Sequence, residues 1–470
     1  MNETHTNREF RVFDDGESIP CQDCRRNNAG FDASNFLLLD EQMAISFSKT
    51  GEKLGGPCGI LELMDDLGRA MTTDPAMRMM GGGNPAHVPA VQEIWRKRMA
   101  EMLADGGAYD RMLANYDPPR GNPAFLDAMA AFLQKECGWA IMAENLAVTP
   151  GGQSAFFFLF NLLAGEHADG RHRKVLLPLV PEYIGYENQG TGPDWFVACE
   201  PVIEMTGEHE FKYRVDFAAV EKALREELVA AICVSRPTNP TGNVLTDEEI
   251  QRLSKLAAAH KVPLIIDNAY GLPFPGAIFV EATPFWNEDT ILTLSLSKLG
   301  LPGTRTGIVV ARKEIAHAIS AMTSVVGLAN TNLGQALTLP LLKSGEMKTI
   351  SRDVIRPFYE ERSALAQGWM HEFCGGRFPY AIHKSEGAFF LWLWFPELPV
   401  TSRELYEILK SRKVLVVPGE YFFFGLAADQ TDWPHRRQCL RMTFSSDPKI
   451  VREGIQIIAD TVAELTNAPS

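Results

Sequence analysis

The stretch ILTLSLSKLGLPGTRTGIVVA, residues 291–311, is the most informative part of the sequence. It places Lys298 just after one apolar run and Arg305 just before another. Gly and Pro follow the lysine, so the backbone is predicted to turn out of a sheet here, at the edge where α/β proteins bind ligands. Buried lysines lose their charge readily, and the neutral amine is the nucleophile that an aldehyde cofactor requires. Lys298 is therefore either a Schiff-base lysine or an ordinary solvated lysine at a strand end.

Composition narrows the class of protein. A chain of 470 residues is too long for one ordinary core, so two domains are expected. The net charge of -14 argues against nucleic acid or an anionic membrane as a partner. The eight cysteines are scattered, several of them within apolar runs, which is typical of reduced core thiols. No segment approaches the roughly 18 apolar residues of a membrane span, and we expect a cytoplasmic protein.

The hydrophobic pattern predicts alternating strands and helices. Short apolar strands are predicted at 174–179, 229–234, 263–266, 291–296 and 307–311, and helices at 91–104, 123–135 and 246–260. Such alternation is typical of a largely parallel sheet covered on both faces. After about residue 345 the order changes to a long charged helix, three strands and a terminal helix, which predicts a separate α+β domain.

Four regions follow from this pattern. Residues 1–42 are polar with little periodicity, and we expect a disordered extension or an upstream stretch outside the native product. Cys21 and Cys24 within it form a single CxxC, a weak zinc signal to which we assign no function. Residues 43–85 are predicted to be an N-terminal arm and part of a small domain, 86–345 a large cofactor-binding domain, and 346–470 the C-terminal small domain.

Polar residues follow the predicted strands upstream of Lys298. Asp267 ends one strand, Tyr270 lies three residues later, and Asn239 follows another strand within NPTG. Taken singly, Asp267 could cap a helix and NPTG could be a simple turn. Taken together, side chains at the same edge of consecutive strands converge on one site.

A second group of residues is suited to binding a phosphate. AVTPGGQSAFFFLF is predicted to be a strand, a glycine turn and a helix, with Gly152 and Gln153 near the helix start, where free N–H groups bind anions. Ser295 and Arg305, on either side of Lys298, could complete this cradle. Tyr183 follows another strand, where its ring could stack on a planar group. The glycine pair alone could equally be a turn.

These motifs together carry a resemblance to a known family. The order GGQS, PEY, NPTG, DNAY, SLSK with a following arginine, and LRMTFS is similar to the fold-type I pyridoxal-phosphate aminotransferases over about residues 43–465. GGGNPA, CGILELMDDLG and SLSKLGLPGTRTG are most similar to the members that act on valine and pyruvate. The resemblance implies an α/β fold with a large domain on a mostly parallel sheet and a smaller α+β domain. It also implies pyridoxal 5'-phosphate as cofactor.

The resemblance implies roles for individual residues around the ring. Lys298 would form the Schiff base, and Asp267 would pair with the pyridine nitrogen. Asn239 and Tyr270 would hold the phenolic oxygen. Tyr183 would stack on the ring, and Lys298, Asp267 and Tyr270 would be the catalytic residues.

The resemblance also implies how phosphate and substrate are bound. The residues that would bind phosphate are Gly152, Gln153, Ser295 and Arg305. Tyr116 would reach the phosphate of a neighbouring subunit, which implies a homodimer with shared sites. Arg441 would clamp the substrate carboxylate, with Gly83 and Asn239 beside it. Arg305 lies seven residues after Lys298, one fewer than in most aminotransferases, so the loop between them is expected to be reshaped.

The implied reaction is ping-pong transamination between an apolar L-amino acid, valine or alanine, and a 2-oxo acid, pyruvate or 2-oxoisovalerate. No motif places a second arginine for a dicarboxylic substrate. Alternatives are a different or broader amino-acid specificity, including alanine or aromatic substrates, or another reaction of the same cofactor, such as β-elimination or decarboxylation. A DNA-binding regulator is disfavoured because the N-terminal extension lacks a helix-turn-helix pattern. A nicotinamide enzyme is disfavoured because the glycines at 81–83 do not fit GxGxxG.

Overall fold

The computed structural model of the chain describes residues 46–73, 76–427, 430 and 433–467. The predicted extension over residues 1–42, with Cys21 and Cys24, lies outside this part of the chain. From Lys49 onward the described residues form one compact unit. Among them there is no helix of sufficient length and apolarity to span a membrane.

The strands are short and fall into three sheets. In chain order they are β1 (Arg78–Met79), β2 (Leu146–Thr149), β3 (Gly165–Glu166), β4 (His172–Leu177), β5 (Phe196–Ala198), β6 (Val202–Gly207), β7 (Glu210–Arg214), β8 (Val229–Ser235), β9 (Leu264–Asp267), β10 (Thr290–Ser295), β11 (Gly307–Val310), β12 (Ala381–His383), β13 (Phe390–Trp394), β14 (Val414–Leu415), β15 (Val417–Pro418) and β16 (Cys439–Thr443).

The helices lie between and after these strands. They are α1 (Lys49–Gly55), α2 (Gly59–Thr73), α3 (Pro89–Ala104), α4 (Gly106–Ala114), α5 (Pro123–Cys137), α6 (Gly152–Leu163), α7 (Phe217–Glu226), α8 (Asp247–His260), α9 (Lys313–Gly327), α10 (Leu333–Ser344), α11 (Glu346–Ile350), α12 (Arg356–Cys374), α13 (Ser402–Ser411) and α14 (Pro448–Thr466). The predicted capping box at the start of α8 is present: Thr246 accepts from the Glu249 amide, and the Glu249 carboxylate accepts from the Thr246 amide.

The first sheet has the order β2-β11-β10-β9-β8-β4-β3, with β5 also paired to β4. Strands β4, β5, β8, β9 and β10 run parallel, while β11 is antiparallel to both of its neighbours. The central strands are buried and mostly apolar, as expected for a sheet covered on both faces. Their register aligns Ser235, Asp267 and Thr293 across β8, β9 and β10, which brings polar side chains together at one edge.

The second sheet has the order β15-β16-β13-β12-β7-β6, and β1 pairs with β14 in a separate two-stranded sheet. The predicted strands within GAFFLWLWF, KVLVVPG and QCLRMTFS correspond to β13, β14 with β15, and β16. The hairpin β6–β7 also belongs to this sheet, although it comes from the middle of the sequence that builds the first sheet. The domain boundaries proposed above remain a prediction.

Candidate active site

The carboxyl ends of β8, β9 and β10 open into a cavity of about 320 Å³. The predicted site residues that line it are Lys298, Asp267, Tyr270, Asn239, Tyr183, Gly152, Gln153, Ser295, Arg305, Arg441 and Gly83. Tyr116 does not line it, and 82% of that residue is exposed. Residues spread over more than 350 positions of sequence thus meet around one space, which has the size of a small-molecule site.

Lys298 lies on a single 3-10 turn, Ser297–Leu299, that follows β10. The turn closes at Gly300, whose φ of 84° favours glycine. The Lys298 Nζ donates to the carbonyl oxygen of Gly83 at 2.6 Å and lies 5.4 Å from the centre of the Tyr270 ring. Burial and the nearby Arg441 lower the pKa of the amine to about 8, although Asp267 opposes the shift. A neutral amine is therefore accessible near physiological pH.

Asp267 ends β9, and its carboxylate accepts hydrogen bonds from three directions. The donors are the Tyr186 hydroxyl at 2.5 Å, the Ala269 amide at 3.0 Å and the Thr293 hydroxyl at 3.4 Å. Burial raises the pKa of Asp267, while these hydrogen bonds and the charge of Lys298 act in the opposite direction. A protonated ring nitrogen beside this carboxylate would be stabilised as its cationic partner.

Two further residues at this end were missed by the sequence analysis. Tyr186, fully buried, holds Asp267 from 81 positions away. Glu182 is also buried and accepts from the amide and the hydroxyl of Ser235 at 2.7 and 2.6 Å. Burial raises the pKa of Glu182 to about 8. Both residues belong to PEYIGY, the motif that contains Tyr183, but their spacing gave no sign that Tyr186 supports Asp267 and that Glu182 supports Ser235 at the end of the neighbouring strand β8.

The opposite end of the cavity has the features of a phosphate cradle. Helix α6 begins at Gly152, and its first intrahelical bond is donated by Ala155 to the Gly151 oxygen, so earlier amides are available to an anion. Gly151 has a φ of 88°, and a Cβ there would overlap the guanidinium of Arg305. The Arg305 Nη1 donates to the Pro302 carbonyl at 3.2 Å. The close approach of Arg305 to this turn therefore requires a glycine.

Ser295 and Gln153 are held by local hydrogen bonds. The Ser295 hydroxyl accepts from the Ser297 amide at 3.1 Å. The Gln153 side chain accepts from the Tyr183 hydroxyl at 3.2 Å and donates to the Gly185 carbonyl at 3.0 Å. The half-buried Tyr183 ring is thus tied to the start of α6 and can present its face to the cavity.

Arg441, on β16, is a buried cation whose hydrogen-bond partners are neutral. Its Nη1 donates to the side-chain oxygen of Asn239 at 2.7 Å and its Nη2 to the Gly81 carbonyl at 2.6 Å. Its Nε is buried without a partner in the described part of the chain. Burial lowers its pKa to about 10. A buried guanidinium without a carboxylate partner is well suited to bind an anionic ligand.

The structure separates the roles of the glycines at 81–83. Gly83 was predicted to lie beside Arg441, but the carbonyl bonded to Arg441 belongs to Gly81, and the Gly83 carbonyl accepts from Lys298. At Gly81 a Cβ would come 2.8 Å from the Val416 carbonyl, which explains the need for glycine at this position. A run of three similar residues carries no local signal that distinguishes these contacts.

The donor set fits pyridoxal phosphate. One end of the cavity offers helix amides and Arg305 to a phosphate, the other offers the Asp267 carboxylate to a ring nitrogen, and the Lys298 amine lines the same space. Arg441 remains available for a second anionic group. The residue assignments remain predictions, and this geometry supports them.

Comparisons with known proteins identify the family of the chain. The sequence profile of the family Aminotransferase class I and II matches residues 88–458. The chain is 47% identical over 423 residues to valine–pyruvate aminotransferase of Escherichia coli K12, covering 89% of this chain and 98% of that protein.

Two solved structures are also similar. A putative amino-acid aminotransferase from Psychrobacter arcticum matches with a TM-score of 0.88 and 44% identity over 91% of this chain and all of that chain. Valine-pyruvate aminotransferase from Salmonella typhimurium matches with a TM-score of 0.78 and 44% identity over 87% of this chain and all of that one. The predicted fold class and cofactor are thereby confirmed, and the chain belongs to the class I and II aminotransferases, which are pyridoxal-phosphate enzymes.

Proposed function

We propose that this aminotransferase exchanges amino groups between valine and pyruvate, forming alanine and 2-oxoisovalerate, and that it runs the reverse reaction. The observation that carries the proposal is an apolar wall facing the cavity that contains Arg441. Ile60, Leu63 and Met64 of α2 line this cavity at the i, i+3, i+4 spacing of one helix face. A small branched side chain would bury against such a wall.

The charges of the cavity support an apolar substrate. Its cationic lining residues, within the described part of the chain, are Lys298, Arg305 and Arg441. Lys298 is the proposed base and Arg305 lies at the phosphate end, which leaves Arg441 for the α-carboxylate. A dicarboxylic substrate would bring a second charge against Ile60, Leu63 and Met64, and its desolvation would be costly.

The side chains divide the work of transamination. Bound pyridoxal phosphate supplies an electron sink that makes the α-hydrogen of an attached amino acid acidic. The neutral amine of Lys298 would remove this proton and deliver it to a carbon of the cofactor, acting first as base and then as acid. Asp267 would keep the ring nitrogen protonated, while Asn239 and Tyr270 would hold the phenolic oxygen.

One site serves both half-reactions. Amino acid and 2-oxo acid share a carboxylate, so Arg441 can hold each in turn, and its bond to Asn239 sets the orientation of the guanidinium. The similarity to the Escherichia coli valine–pyruvate enzyme over 89% of this chain further supports these substrates.

The test is to incubate the purified enzyme with L-valine and pyruvate and to measure alanine and 2-oxoisovalerate. We expect both products in equal amounts. L-aspartate with 2-oxoglutarate is the matched control, and we expect it to react at least about tenfold more slowly, as the pocket places apolar groups against its charge. Faster aspartate turnover, or release of ammonia or carbon dioxide in place of amino exchange, would contradict the proposal.

We also propose a homodimer in which Tyr116 reaches the partner's phosphate site. Tyr116 is largely exposed, as are Leu113, Val325 and Val326, at 64%, 87% and 66%. Asn332 joins the segment after α9 to the carbonyls of Met112 and Asn115 beside Tyr116. Exposed apolar residues of this size favour an interface. A cytoplasmic location remains a prediction from the sequence.

A further inference from the structure

Helix α2 has two functional faces. Ile60, Leu63 and Met64 line the active-site cavity. Glu62 and Asp66, four residues apart, project from a different side of the helix and bind to α13 and to the 3-10 turn Gly419–Phe422 that follows β15. One short helix therefore connects the wall of the substrate pocket to a distant element.

The Glu62 carboxylate contacts two groups. The Arg403 Nη2 donates to Glu62 Oε1 at 3.0 Å, and the Tyr421 hydroxyl donates to Glu62 Oε2 at 2.9 Å. The Arg403 guanidinium also lies 5.8 Å from the centre of the Tyr421 ring. These three residues form one side of the attachment.

The Asp66 carboxylate forms the other side and is better protected from water. Its side chain is 12% exposed, and its Oδ2 accepts from the Tyr406 hydroxyl at 2.5 Å and from the Lys410 Nζ at 2.7 Å. Tyr406 is itself buried. Hydrogen bonds to a charged and shielded acceptor are stronger than those of exposed ion pairs.

Helix α13, to which α2 is attached, also leads to the strands that position Arg441, the residue proposed to bind the substrate carboxylate. Helix α13 leads directly into β14 and β15, and Val417 of β15 pairs with Arg441 of β16. Leu415 of β14 accepts from the Met80 amide, next to the Gly81 carbonyl that binds Arg441. Residues 402–418 thus contact both α2, which carries the apolar wall, and the strand that carries Arg441.

We propose that Glu62 and Asp66 are positioning residues for substrate specificity. By fixing α2 on α13, they set the distance between Arg441 and the apolar wall, and this distance selects side chains of valine size. The proposal deepens the proposed function, since it takes an apolar amino acid as the substrate. Neither carboxylate lines the cavity, so they act through the placement of Ile60, Leu63 and Met64.

The test compares the double variant Glu62→Gln/Asp66→Asn with Glu407→Gln, which removes a carboxylate from the exposed side of α13. Two unreactive ligands are titrated into each cofactor-loaded protein by calorimetry. 3-Methylbutanoate has the carboxylate and branched chain of valine, whereas acetate has the carboxylate with a single methyl group.

We expect the double variant to bind 3-methylbutanoate about tenfold more weakly and acetate with unchanged affinity. The KM for valine should rise in parallel, while the visible absorbance of the cofactor stays that of Glu407→Gln and circular dichroism shows both variants folded at the assay temperature.

Equal weakening of both ligands would overturn the proposal, because the attachment would then act on the whole site. Unchanged affinities would overturn it too, as would wild-type enzyme that binds 3-methylbutanoate no tighter than acetate. Failure of the proposed function looks different: wild-type protein would then prefer the branched ligand in the titration yet fail to exchange amino groups between valine and pyruvate.

Discussion

The surroundings of Lys298 lower the pKa of its amine. Its amine donates to one carbonyl, lies beside the Tyr270 ring and shares the cavity with the buried Arg441. Loss of hydration and repulsion by Arg441 both disfavour the ammonium form, and the Asp267 carboxylate only partly offsets them. The same burial that keeps water from the site therefore prepares a nucleophile.

This pKa makes cofactor uptake dependent on pH. A neutral amine must attack the aldehyde, so the rate at which the cofactor-free protein gains the visible band of lysine-bound cofactor should rise as the pH increases through about 8. An ordinary lysine would show this rise near 10.5. Stopped-flow absorbance measures the rate. Lys298→Ala is the control, and it should fold, show no such band and lose turnover by at least about 10²-fold. A rate that stays flat through pH 8, or retained turnover in the variant, would contradict the assignment.

At the scale of elements, the site depends on where strands and helices begin and end. Parallel strands β8, β9 and β10 end side by side, so Asp267 and Ser295 reach the same edge. Helix α6 directs its free amides toward that edge. Helix α2 closes the apolar side with a face of Ile60, Leu63 and Met64.

Two leucines of α2 test the role of this face. Leu63 is 7% exposed and lines the cavity, whereas Leu61 is 48% exposed and does not line it. Leu63→Ala should lower kcat/KM for valine by about tenfold, or roughly 1.4 kcal/mol, because the substrate loses apolar contact. Relative activity toward larger apolar amino acids should increase. Leu61→Ala removes the same atoms from another face and should leave the preference among substrates unchanged. Steady-state kinetics with a series of amino acids would detect the difference. Equal effects of the two substitutions would show that the cavity-lining face of α2 does not set the substrate preference.

At the level of the whole molecule, one predicted site residue, Tyr116, does not line the active-site cavity of its own chain. Tyr116 lies outside the cavity and is 82% exposed, and Leu113, Val325 and Val326 are exposed as well. Burying such a surface against a second copy would stabilise a dimer. The proposed exchange of Tyr116 between subunits would make each site complete only in that dimer.

Hybrid dimers separate the two chains' contributions. Tyr116→Phe removes one hydrogen bond to phosphate and should weaken cofactor binding by about tenfold. A hybrid of Tyr116→Phe with Lys298→Ala contains one site that combines an intact Lys298 with an intact Tyr116 from the other chain. Purified hybrids, made with two affinity tags, should recover wild-type cofactor affinity in half of their sites. If the defect of Tyr116→Phe persists in the hybrid, Tyr116 serves its own chain or none.

Local sequence patterns were sufficient for the main strands and for much of the site. Apolar runs that end in Asp267 or Ser295 mark buried strands, and parallel pairing forces their ends to one edge. The capping box of α8 and the glycine turn before α6 were predictable for the same reason, since each depends on residues only a few positions apart.

Local sequence patterns and the family resemblance were therefore enough to predict the class of fold, the cofactor and the order of polar groups along the sheet edge. Tertiary structure alone decided that Tyr186 holds Asp267, that Gly81 binds Arg441, and that hairpin β6–β7 joins the second sheet. It also decided which face of α2 lines the cavity. These contacts join segments that are far apart in the chain, so they depend on packing, which no short-range periodicity encodes.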